Sequence, residues 1–401
     1  MDRAERKRGL SSRAAGGRSG GWLSESGGVG AEVEEVHTDQ WSEGRRHCAS
    51  SRPRFIGEDS NMPDSRPPHL YGDLAVLRLL LSRRAENTRP GARTDDHRLA
   101  VVIGGGGMRG SYTAGMLRAL QRAGLREAID EVYGASSGAF GAAAFLTGQA
   151  EDGAACYPED LGAREFVDLR RLIRGSPVIS MDYLIHDVLE RRKPLDWQAL
   201  CRVPVPLRVV CTDFADWRAY TLTATDPARW RAVVRASGTI PFLAGPPVRI
   251  DGRSWIDGSI AEPLAISRAV RGGATHVLAL LCRGEDDLHP NPSAGFSVWG
   301  KILNWAVPGL GTLSQGSRRY RADLELIANI ARTGSPAGPR LLAIAPTRSA
   351  GVTGMCSDAV ILSNAVEIGG ASVTTAIDYV IESDAHERDF RSDPACGGAI
   401  W

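Results

Sequence analysis

Short apolar runs of strand length alternate with segments of helix length from Leu99 onwards. The first run, Leu99–Ile103, is apolar throughout, which is typical of a strand that is buried on both faces of a sheet. Because parallel strands need long crossover connections, the alternation favours a mostly parallel central sheet covered by helices on both faces. The predicted fold class is therefore α/β, a three-layer α/β/α sandwich.

The same pattern predicts where the elements lie. The predicted strands are 99–103, 132–135, 207–211, 220–223, 276–282 and 341–345, and the predicted helices are 73–84, 110–123, 138–146, 229–236, 264–270, 318–333 and 359–381. Residues 247–256 are predicted to form a hairpin, because Asp251-Gly252 supplies the positive φ angles of a tight turn.

Composition divides the chain into five parts. Residues 1–68 are rich in Arg, Gly, Ser and Glu without apolar periodicity, so we expect a disordered tail, with Met62 as an alternative start. Residues 69–97 are predicted to be a helix and a polar linker, and 98–283 are predicted to be the core that carries the chemistry. Residues 284–340 are expected to be a helical lid-like or packing segment. Residues 341–401 supply a strand and a helix that complete the core, followed by a short tail.

Charge and cysteine content exclude several classes of protein. Lys and Arg total 48 against 47 Asp and Glu, for a net charge of +1, which removes any whole-chain electrostatic argument for nucleic acid. The 7 cysteines lack CxxC or Cys/His spacing, so we expect neither a disulfide framework nor a metal site. The basic N-terminus has no apolar stretch behind it and does not resemble a secretory signal. We therefore expect a cytoplasmic protein.

A glycine-rich loop, 104–110, follows the first predicted strand and opens the next predicted helix. Its backbone N–H groups lie at the positive end of a helix, where they can hold a phosphate or a developing oxyanion. Gly105, Gly107 and Gly110 match the dinucleotide pattern G-x-G-x-x-G. That pattern also requires an acidic residue at the end of the following strand, and here the acidic residues precede that strand.

The end of the second predicted strand instead carries Gly134-Ala135-Ser136-Ser137-Gly138. A G-x-S-x-G pentapeptide between a strand and a helix is the context of a nucleophile elbow, in which a sharp turn exposes the central serine oxygen. A tight turn with an N-capping serine is the simpler interpretation of such a pentapeptide. Because the glycine loop and the pentapeptide follow successive strands and can meet at one sheet edge, we expect Ser136 to be a nucleophile.

A nucleophilic serine needs a general base. Histidine is the usual base, but His276, His289 and His386 do not lie in distinctive motifs. Asp257-Gly258 ends the second strand of the predicted hairpin, where a turn would hold a carboxylate at a strand terminus. The alternative is that Asp257-Gly258 is only a turn.

These residues resemble a known family, the patatin-like phospholipases. Three motifs occur in the family's order, and residues 235–241 resemble the segment that the family places ahead of its aspartate hairpin. The resemblance covers 98–282 well and 341–381 more loosely. The three motifs are the oxyanion loop Gly105-Gly106-Gly107-Met108-Arg109-Gly110, the elbow Gly134-Ala135-Ser136-Ser137-Gly138, and the aspartate motif Asp257-Gly258-Ser259.

The resemblance implies a Ser–Asp dyad, with Ser136 as nucleophile, Asp257 as general base and no catalytic histidine. It also implies an oxyanion hole formed by backbone N–H groups around Gly106 and Gly107, with Arg109 as a nearby positive charge. Serine at position 259 departs from the family's usual glycine or alanine, but it is small, so we expect the turn to form. No metal and no organic cofactor is implied.

The expected activity is hydrolysis of acyl esters through an acyl-enzyme, and the family points to phospholipids, lysophospholipids or neutral lipids as substrates. The Trp-rich stretch 296–310 is a candidate lid or acyl-binding wall, with ordinary packing as the alternative. Trp299 and Trp305 are candidates for transient contact with a membrane surface, so a peripheral association of the cytoplasmic protein with the membrane is also expected.

Two other functions remain open at this point. An α/β-hydrolase esterase with a Ser–His–Asp triad would recruit one of the three histidines, but that fold takes part of its oxyanion hole from a loop well before the elbow, usually beside a histidine. A noncatalytic lipid- or nucleotide-binding module would use the glycine loop as an anion site.

Overall fold

The computed structural model describes residues 66–284, 319–320, 322–327, 329 and 338–392. The predicted tail up to residue 65 and the Trp-rich stretch 296–310 lie outside the described residues, as does much of the predicted helix 318–333.

One mixed sheet of nine strands organises the described part of the chain. The strands are β1 Leu70–Gly72, β2 Leu99–Ile103, β3 Glu131–Ala135, β4 Leu207–Asp213, β5 Ala219–Leu222, β6 Val248–Ile250, β7 Arg253–Asp257, β8 His276–Leu280 and β9 Arg340–Ile344. Hydrogen bonds connect them along the path β1-β9-β8-β2-β3-β4-β7-β6, and β5 pairs with β4.

The centre of the sheet is parallel, as the strand and helix alternation predicts. Strands β9, β8, β2, β3 and β4 are parallel to their neighbours in this order. The flanks are antiparallel, since β1 pairs with β9, β5 and β7 pair with β4, and β6 pairs with β7. The β6–β7 hairpin turns at Asp251 and Gly252, both of which have positive φ, as predicted.

Helices cover both faces of the sheet and make three layers. The α-helices are α1 Ala75–Ala85, α2 Gly110–Arg122, α3 Ser137–Leu146, α4 Ala150–Cys156, α5 Trp197–Leu200, α6 Pro227–Gly238, α7 Ile266–Arg271 and α8 Ala359–Ser392. Shorter 3-10 or π-helical segments occupy Gly107–Arg109, Arg126–Ala128, Tyr157–Leu161, Leu169–Arg174, Tyr183–Arg192 and Gly258–Ile260.

The side chains of β2 alternate between two hydrophobic cores. Leu99, Val101 and Ile103 belong to the core that contains residues of α1, α2, α3 and α8. Ala100 and Val102 belong to the other core, which contains residues of α7. Successive side chains of a strand point to opposite faces, so a strand that is apolar throughout is buried by a layer on each side.

Sequence periodicity missed two parts of this architecture. Strand β1 has only three residues and is too short to show a period, yet it pairs antiparallel with β9 at one edge of the sheet. The region between α3 and β4 folds into α4, α5 and the short helical segments near them, including π-helical turns whose period differs from 3.6 residues. Neither part lies in the predicted alternation.

Strands β3 and β7 share one edge of β4, end to end. β5 pairs with β4 over Val209–Thr212, a range that overlaps both the β3 pairing and the β7 pairing. Because one edge of a strand can pair with only one neighbour at each position, β5 lies along the opposite edge of β4. The last residue of β3, Ala135, is the partner of Val210, and the last residue of β7, Asp257, is the partner of Cys211. The carboxyl ends of β3 and β7 therefore meet at adjacent positions along β4.

Helix α8, over Ala359–Glu387, is long and apolar enough to cross a membrane by length and composition, since it contains an 18-residue window with a mean hydropathy of 1.4. Half of that window is buried inside the fold. The helix packs closely against α2: a Cβ atom built on Gly369 would lie 2.0 Å from the carbonyl oxygen of Tyr112, and one built on Gly115 would lie 1.9 Å from that of Val366. Such backbone contact is the packing of a core helix.

We predict that Gly369→Ala destabilises the protein. Its new methyl group would overlap the backbone of α2, and overpacking of this kind costs about 1–3 kcal/mol of unfolding free energy. Gly370→Ala is the matched control, because the nearest atom to its Cβ would be 3.5 Å away and alanine favours a helix by up to about 1 kcal/mol over glycine. Urea unfolding of both variants measures the difference. Equal stability of Gly369→Ala and wild type would contradict this packing.

Candidate active site

Ser136 links β3 to α3 in a strained backbone conformation, with φ of 54° and ψ of −125°. Residues other than glycine rarely adopt a positive φ, and such strain persists only where the surrounding structure holds it. Here the Ser136 N–H donates to Oγ of Ser237 at 2.9 Å, and that hydroxyl donates to the carbonyl of Val210 at 2.6 Å. Ser237 is fully buried at the end of α6. It therefore ties the strained turn to β4.

Small residues on both sides of Ser136 permit the turn. A Cβ atom on Gly138 would lie 2.4 Å from the carbonyl oxygen of Ile103, and one on Gly134 would lie 2.7 Å from that of Gly138. Glycine at these positions lets α3 begin directly against the end of β2. The Ser136 side chain makes no capping hydrogen bond to α3, so the simpler N-cap interpretation of this serine does not describe its geometry.

Asp257 faces Ser136 from the end of β7. The Ser136 hydroxyl donates to Oδ2 of Asp257 at 2.7 Å. The other carboxylate oxygen, Oδ1, accepts the Ser259 N–H at 2.8 Å and also the Ser259 hydroxyl. The backbone of Asp257 is held as well, since its N–H donates to the Thr239 carbonyl at 2.9 Å and its carbonyl accepts from the Thr212 hydroxyl at 2.8 Å. The carboxylate is thus fixed in place with one oxygen turned to Ser136.

Asp257 is shielded from solvent. The residue is only 1% exposed, and this burial raises the pKa of its carboxyl group above the ordinary value. The hydrogen bonds from Ser136 and Ser259 act in the opposite direction and stabilise the ionised form, but burial is the larger effect. A carboxylate with a raised pKa is a stronger base than one in water.

The glycine loop lies directly against this pair. A Cβ atom on Gly105 would lie 2.9 Å from Cβ of Ser136 and 3.0 Å from Cβ of Ser259, so only glycine fits between them. The Gly106 N–H donates to Oγ of Ser137 at 3.1 Å. Among the residues that the structure describes, no group accepts a hydrogen bond from the N–H of Gly105 or of Gly107. These two N–H groups beside Ser136 are available to an anionic ligand.

Neighbouring segments hold the loop in shape. The Met108 N–H donates to the carbonyl of Gly354 at 3.1 Å, and Gly107 has a φ of 60° that brings it close to the same carbonyl. The Cys282 thiol lies 3.2 Å from the carbonyl oxygen of Gly105, beneath the loop. The Met108 side chain is buried in the core. The loop is therefore anchored by the segments after β8 and β9.

No described histidine contacts the Ser136–Asp257 pair. His276 begins β8, at the opposite end of the parallel strands from Ser136, and burial lowers its pKa to about 4. His386 is exposed near the end of α8. His289 lies outside the described residues. In the described ranges, no group of three or more His, Cys, Asp or Glu side chains could hold a metal ion.

The structure brings all three sequence motifs to one place at the carboxyl ends of β2, β3 and β7. The sequence predicts Ser136, Asp257 and the loop, but it does not predict the residues that support them. Ser237 falls in the segment 235–241 that resembles the family, but nothing in the local sequence indicates that its hydroxyl holds the turn at Ser136. Gly354 and Cys282 carry no local signal, because they reach the loop only through the arrangement of the sheet.

Residues 101–270 match the family model described as Patatin-like phospholipase. This range includes the loop, Ser136 and Asp257, together with the strands that position them. The fold is the α/β arrangement that the resemblance implies. Residues 101–270 of the chain thus form a patatin-like phospholipase domain.

Curated relatives are similar over part of their length. The chain is 29% identical over 185 residues to the Escherichia coli (strain K12) protein named Uncharacterized protein YjjU, covering 46% of this chain and 51% of that protein. It is 26% identical over 304 residues to human Patatin-like phospholipase domain-containing protein 6, covering 70% of this chain and 20% of that protein. The chain thus spans about half of the first relative and about a fifth of the second.

Solved structures resemble the chain more remotely. Human GIVD cytosolic phospholipase A2, in complex with methyl gamma-linolenyl fluorophosphonate, aligns with a TM-score of 0.38 at 14% identity, covering 76% of this chain and 62% of that chain. VipD from Legionella pneumophila aligns with a TM-score of 0.38 at 13% identity, covering 71% of this chain and 67% of that chain.

We predict that Ser136→Gly is more stable than Ser136→Ala. Both variants lose the bond to Asp257, but only glycine relieves the positive φ, and strain at such a position costs about 1–3 kcal/mol. The expected difference in unfolding free energy is about 1 kcal/mol, measured by urea unfolding. If Ser136→Ala is as stable as Ser136→Gly, the backbone at this position is not strained.

Proposed function

We propose that the protein is a serine acyl hydrolase that cleaves lipid acyl esters with a Ser136–Asp257 dyad. The observation that carries the proposal is the 2.7 Å hydrogen bond from the Ser136 hydroxyl to a carboxylate that is almost completely buried. A serine hydroxyl is a weak nucleophile by itself, and a fixed base within hydrogen-bond reach makes it reactive. Membership of residues 101–270 in a phospholipase family supports the same chemistry.

The first half of the reaction forms an acyl-enzyme. Oγ of Ser136 attacks the ester carbonyl carbon while its proton moves to Oδ2 of Asp257. The tetrahedral intermediate collapses, the bond from the carbonyl carbon to the alcohol oxygen breaks, and the leaving alkoxide takes the proton from Asp257. An alcohol departs, and the acyl group remains on Ser136 as an ester.

The second half releases the acid. A water molecule gives one proton to the Asp257 carboxylate and attacks the acyl carbon. When this second intermediate collapses, the bond to Ser136 breaks and its oxygen recovers the proton. The free fatty acid and the original dyad result, so that one carboxylate serves as base and acid in each half.

Backbone N–H groups stabilise the negative charge on the carbonyl oxygen. Gly105 and Gly107 supply donors that the described structure leaves unused, and the loop lies at the N-terminal, positive end of α2. Preorganised donors aimed at developing charge are commonly the largest single contribution to such reactions. The hydrogen bond of Gly106 to Ser137 gives that N–H a supporting role in loop geometry.

Ser259 selects the carboxylate oxygen that reacts. Its N–H and hydroxyl both bond to Oδ1 of Asp257, which leaves Oδ2 for the Ser136 proton. Serine at this position, where the family usually has glycine or alanine, thus adds a donor to the base. Phospholipids, lysophospholipids and neutral acyl esters are the proposed substrate class, and no cofactor takes part.

Hydrolysis of a short p-nitrophenyl ester and of a lysophospholipid tests the proposal. Ser136→Ala is expected to lose at least about 10³-fold in kcat/KM. Asp257→Asn is expected to lose about 10²–10⁴-fold, the usual contribution of a general base. The matched control is Asp251→Asn, in the exposed turn of the same hairpin, which should retain wild-type activity.

A triple variant lacking His276, His289 and His386 separates the dyad from a histidine triad. The dyad predicts that this variant stays active when its circular dichroism shows a folded protein. Loss of activity in the folded triple variant would favour a Ser–His–Asp triad. An inactive wild type on both substrates would favour a noncatalytic binding module.

A further inference from the structure

A short turn outside the three sequence motifs exposes large apolar side chains to solvent. In the 3-10 helix Leu169–Arg174, Ile173 is 90% exposed, Leu169 is 60% exposed and Leu172 is 41% exposed. A 3-10 helix has three residues per turn, so Leu169 and Leu172 lie above one another. Three strongly exposed aliphatic side chains within five residues concentrate apolar surface at one turn, and such a concentration is typical of an interaction site.

Arginines surround these apolar side chains. Arg164, Arg170 and Arg174 are exposed, and among the residues that the structure describes none of the three guanidinium groups meets a carboxylate. Arg171 has a different role, since its guanidinium group donates to the carbonyl of Glu165 at 2.8 Å and stabilises the turn. The turn thus presents unneutralised positive charge together with aliphatic side chains.

The turn is firmly anchored. The two chain segments that lead into and out of it are joined by hydrogen bonds from the Asp168 N–H to the Val178 carbonyl at 2.9 Å and from the Ser180 N–H to the Phe166 carbonyl at 2.8 Å. Phe166 and Val178 are buried in the core. The Asp168 carboxylate caps the 3-10 helix by accepting the Arg170 N–H. The apolar side chains are therefore held outward by a braced hairpin.

The hairpin is connected to the candidate active site. The Ile179 N–H donates to the Leu243 carbonyl at 2.7 Å, and Leu243 is four residues from Thr239, whose carbonyl accepts the Asp257 N–H. Four residues span at most about 14 Å of chain. Between them Phe242 is 52% exposed and has a φ of 66°, a strained conformation for a bulky residue. Phe242 is thus a further exposed apolar side chain, on the chain segment between the hairpin contact and the residue that bonds Asp257.

We propose that the Leu169–Arg174 turn and Phe242 dock the protein on an anionic phospholipid surface. Aliphatic side chains enter the boundary between headgroups and acyl chains, and flanking arginines are attracted to anionic headgroups. Docking at this place brings the candidate active site to its lipid substrate. The inference extends the proposed function, but binding is measured separately from hydrolysis, so either can fail without the other.

Charge and chemistry favour a lipid surface over a nucleic acid. Binding of single strands depends on aromatic platforms beside basic residues, whereas this turn carries aliphatic side chains between its arginines. Aliphatic groups gain most from leaving water for an acyl environment. The complementary partner is a surface with negatively charged groups on the outside and an apolar layer directly beneath them, as in an anionic phospholipid bilayer.

Sedimentation with sucrose-loaded vesicles tests the docking surface. The protein is the full chain carrying Ser136→Ala, so that no lipid is hydrolysed. One set of vesicles contains about 70% phosphatidylcholine and about 30% phosphatidylglycerol, which gives a strongly anionic surface, and the other set contains phosphatidylcholine alone. We expect binding to the anionic vesicles that weakens with added salt. Arg170→Glu/Arg174→Glu and, separately, Leu172→Ser/Ile173→Ser should each lower the partition coefficient at least about tenfold.

Matched controls change the same chemistry elsewhere. Arg89→Glu/Arg271→Glu has the same change of charge at exposed positions away from the turn, and Val360→Ser/Ile381→Ser removes exposed apolar side chains of α8. Both control variants should bind as the parent does. On the wild-type background, the two docking variants should hydrolyse a soluble p-nitrophenyl ester at the parental rate.

The following binding results overturn the inference. It is wrong if the parent does not bind anionic vesicles, if the docking variants bind as well as the parent, or if the control variants lose as much binding as the docking variants. Binding of single-stranded DNA that is lost in the docking variants, without binding of vesicles, would assign the turn to nucleic acid instead. Inactivity on the soluble ester with normal vesicle binding would reject the proposed hydrolysis and leave the docking surface intact.

Discussion

The shared edge of β4 is the constraint on which the candidate site depends. Strands β3 and β7 meet end to end there, with the last residue of each paired to Val210 and Cys211. Ser136 follows one strand end and Asp257 occupies the other, so the register of one central strand sets the distance between nucleophile and base. A shift of either strand by one residue would turn its side chains to the opposite face of the sheet and separate the pair.

Strain and burial at this edge are balanced by polar groups around it. The positive φ of Ser136 is held by the buried hydroxyl of Ser237, and the buried Asp257 carboxylate is satisfied by Ser136 and Ser259. Each of these features would be costly alone, since backbone strain and an unpaired buried charge both reduce stability. Together they keep a reactive oxygen in one orientation beside two available N–H groups of the glycine loop.

Much of the parallel centre of the sheet could be predicted from the sequence, because a short apolar run such as Leu99–Ile103 is typical of a strand buried on both faces. Ser136 could also be predicted, because the spacing of glycines between a strand and a helix indicates a sharp turn. The antiparallel β1 was too short to show a period. Ser237 and Gly354 could not be assigned, because their contacts with the site arise from the assembled sheet and leave no local pattern in the sequence.

The most direct measurement is the pH dependence of covalent labelling of Ser136 by a fluorophosphonate, followed by mass spectrometry. Because the base must be ionised to accept the proton and burial raises the pKa of Asp257, labelling should be slow in acid and rise through an apparent pKa above that of an ordinary aspartate. The triple histidine variant should give the same profile, and Asp257→Asn should abolish it. A wild-type inflection that disappears with the histidines would contradict the account.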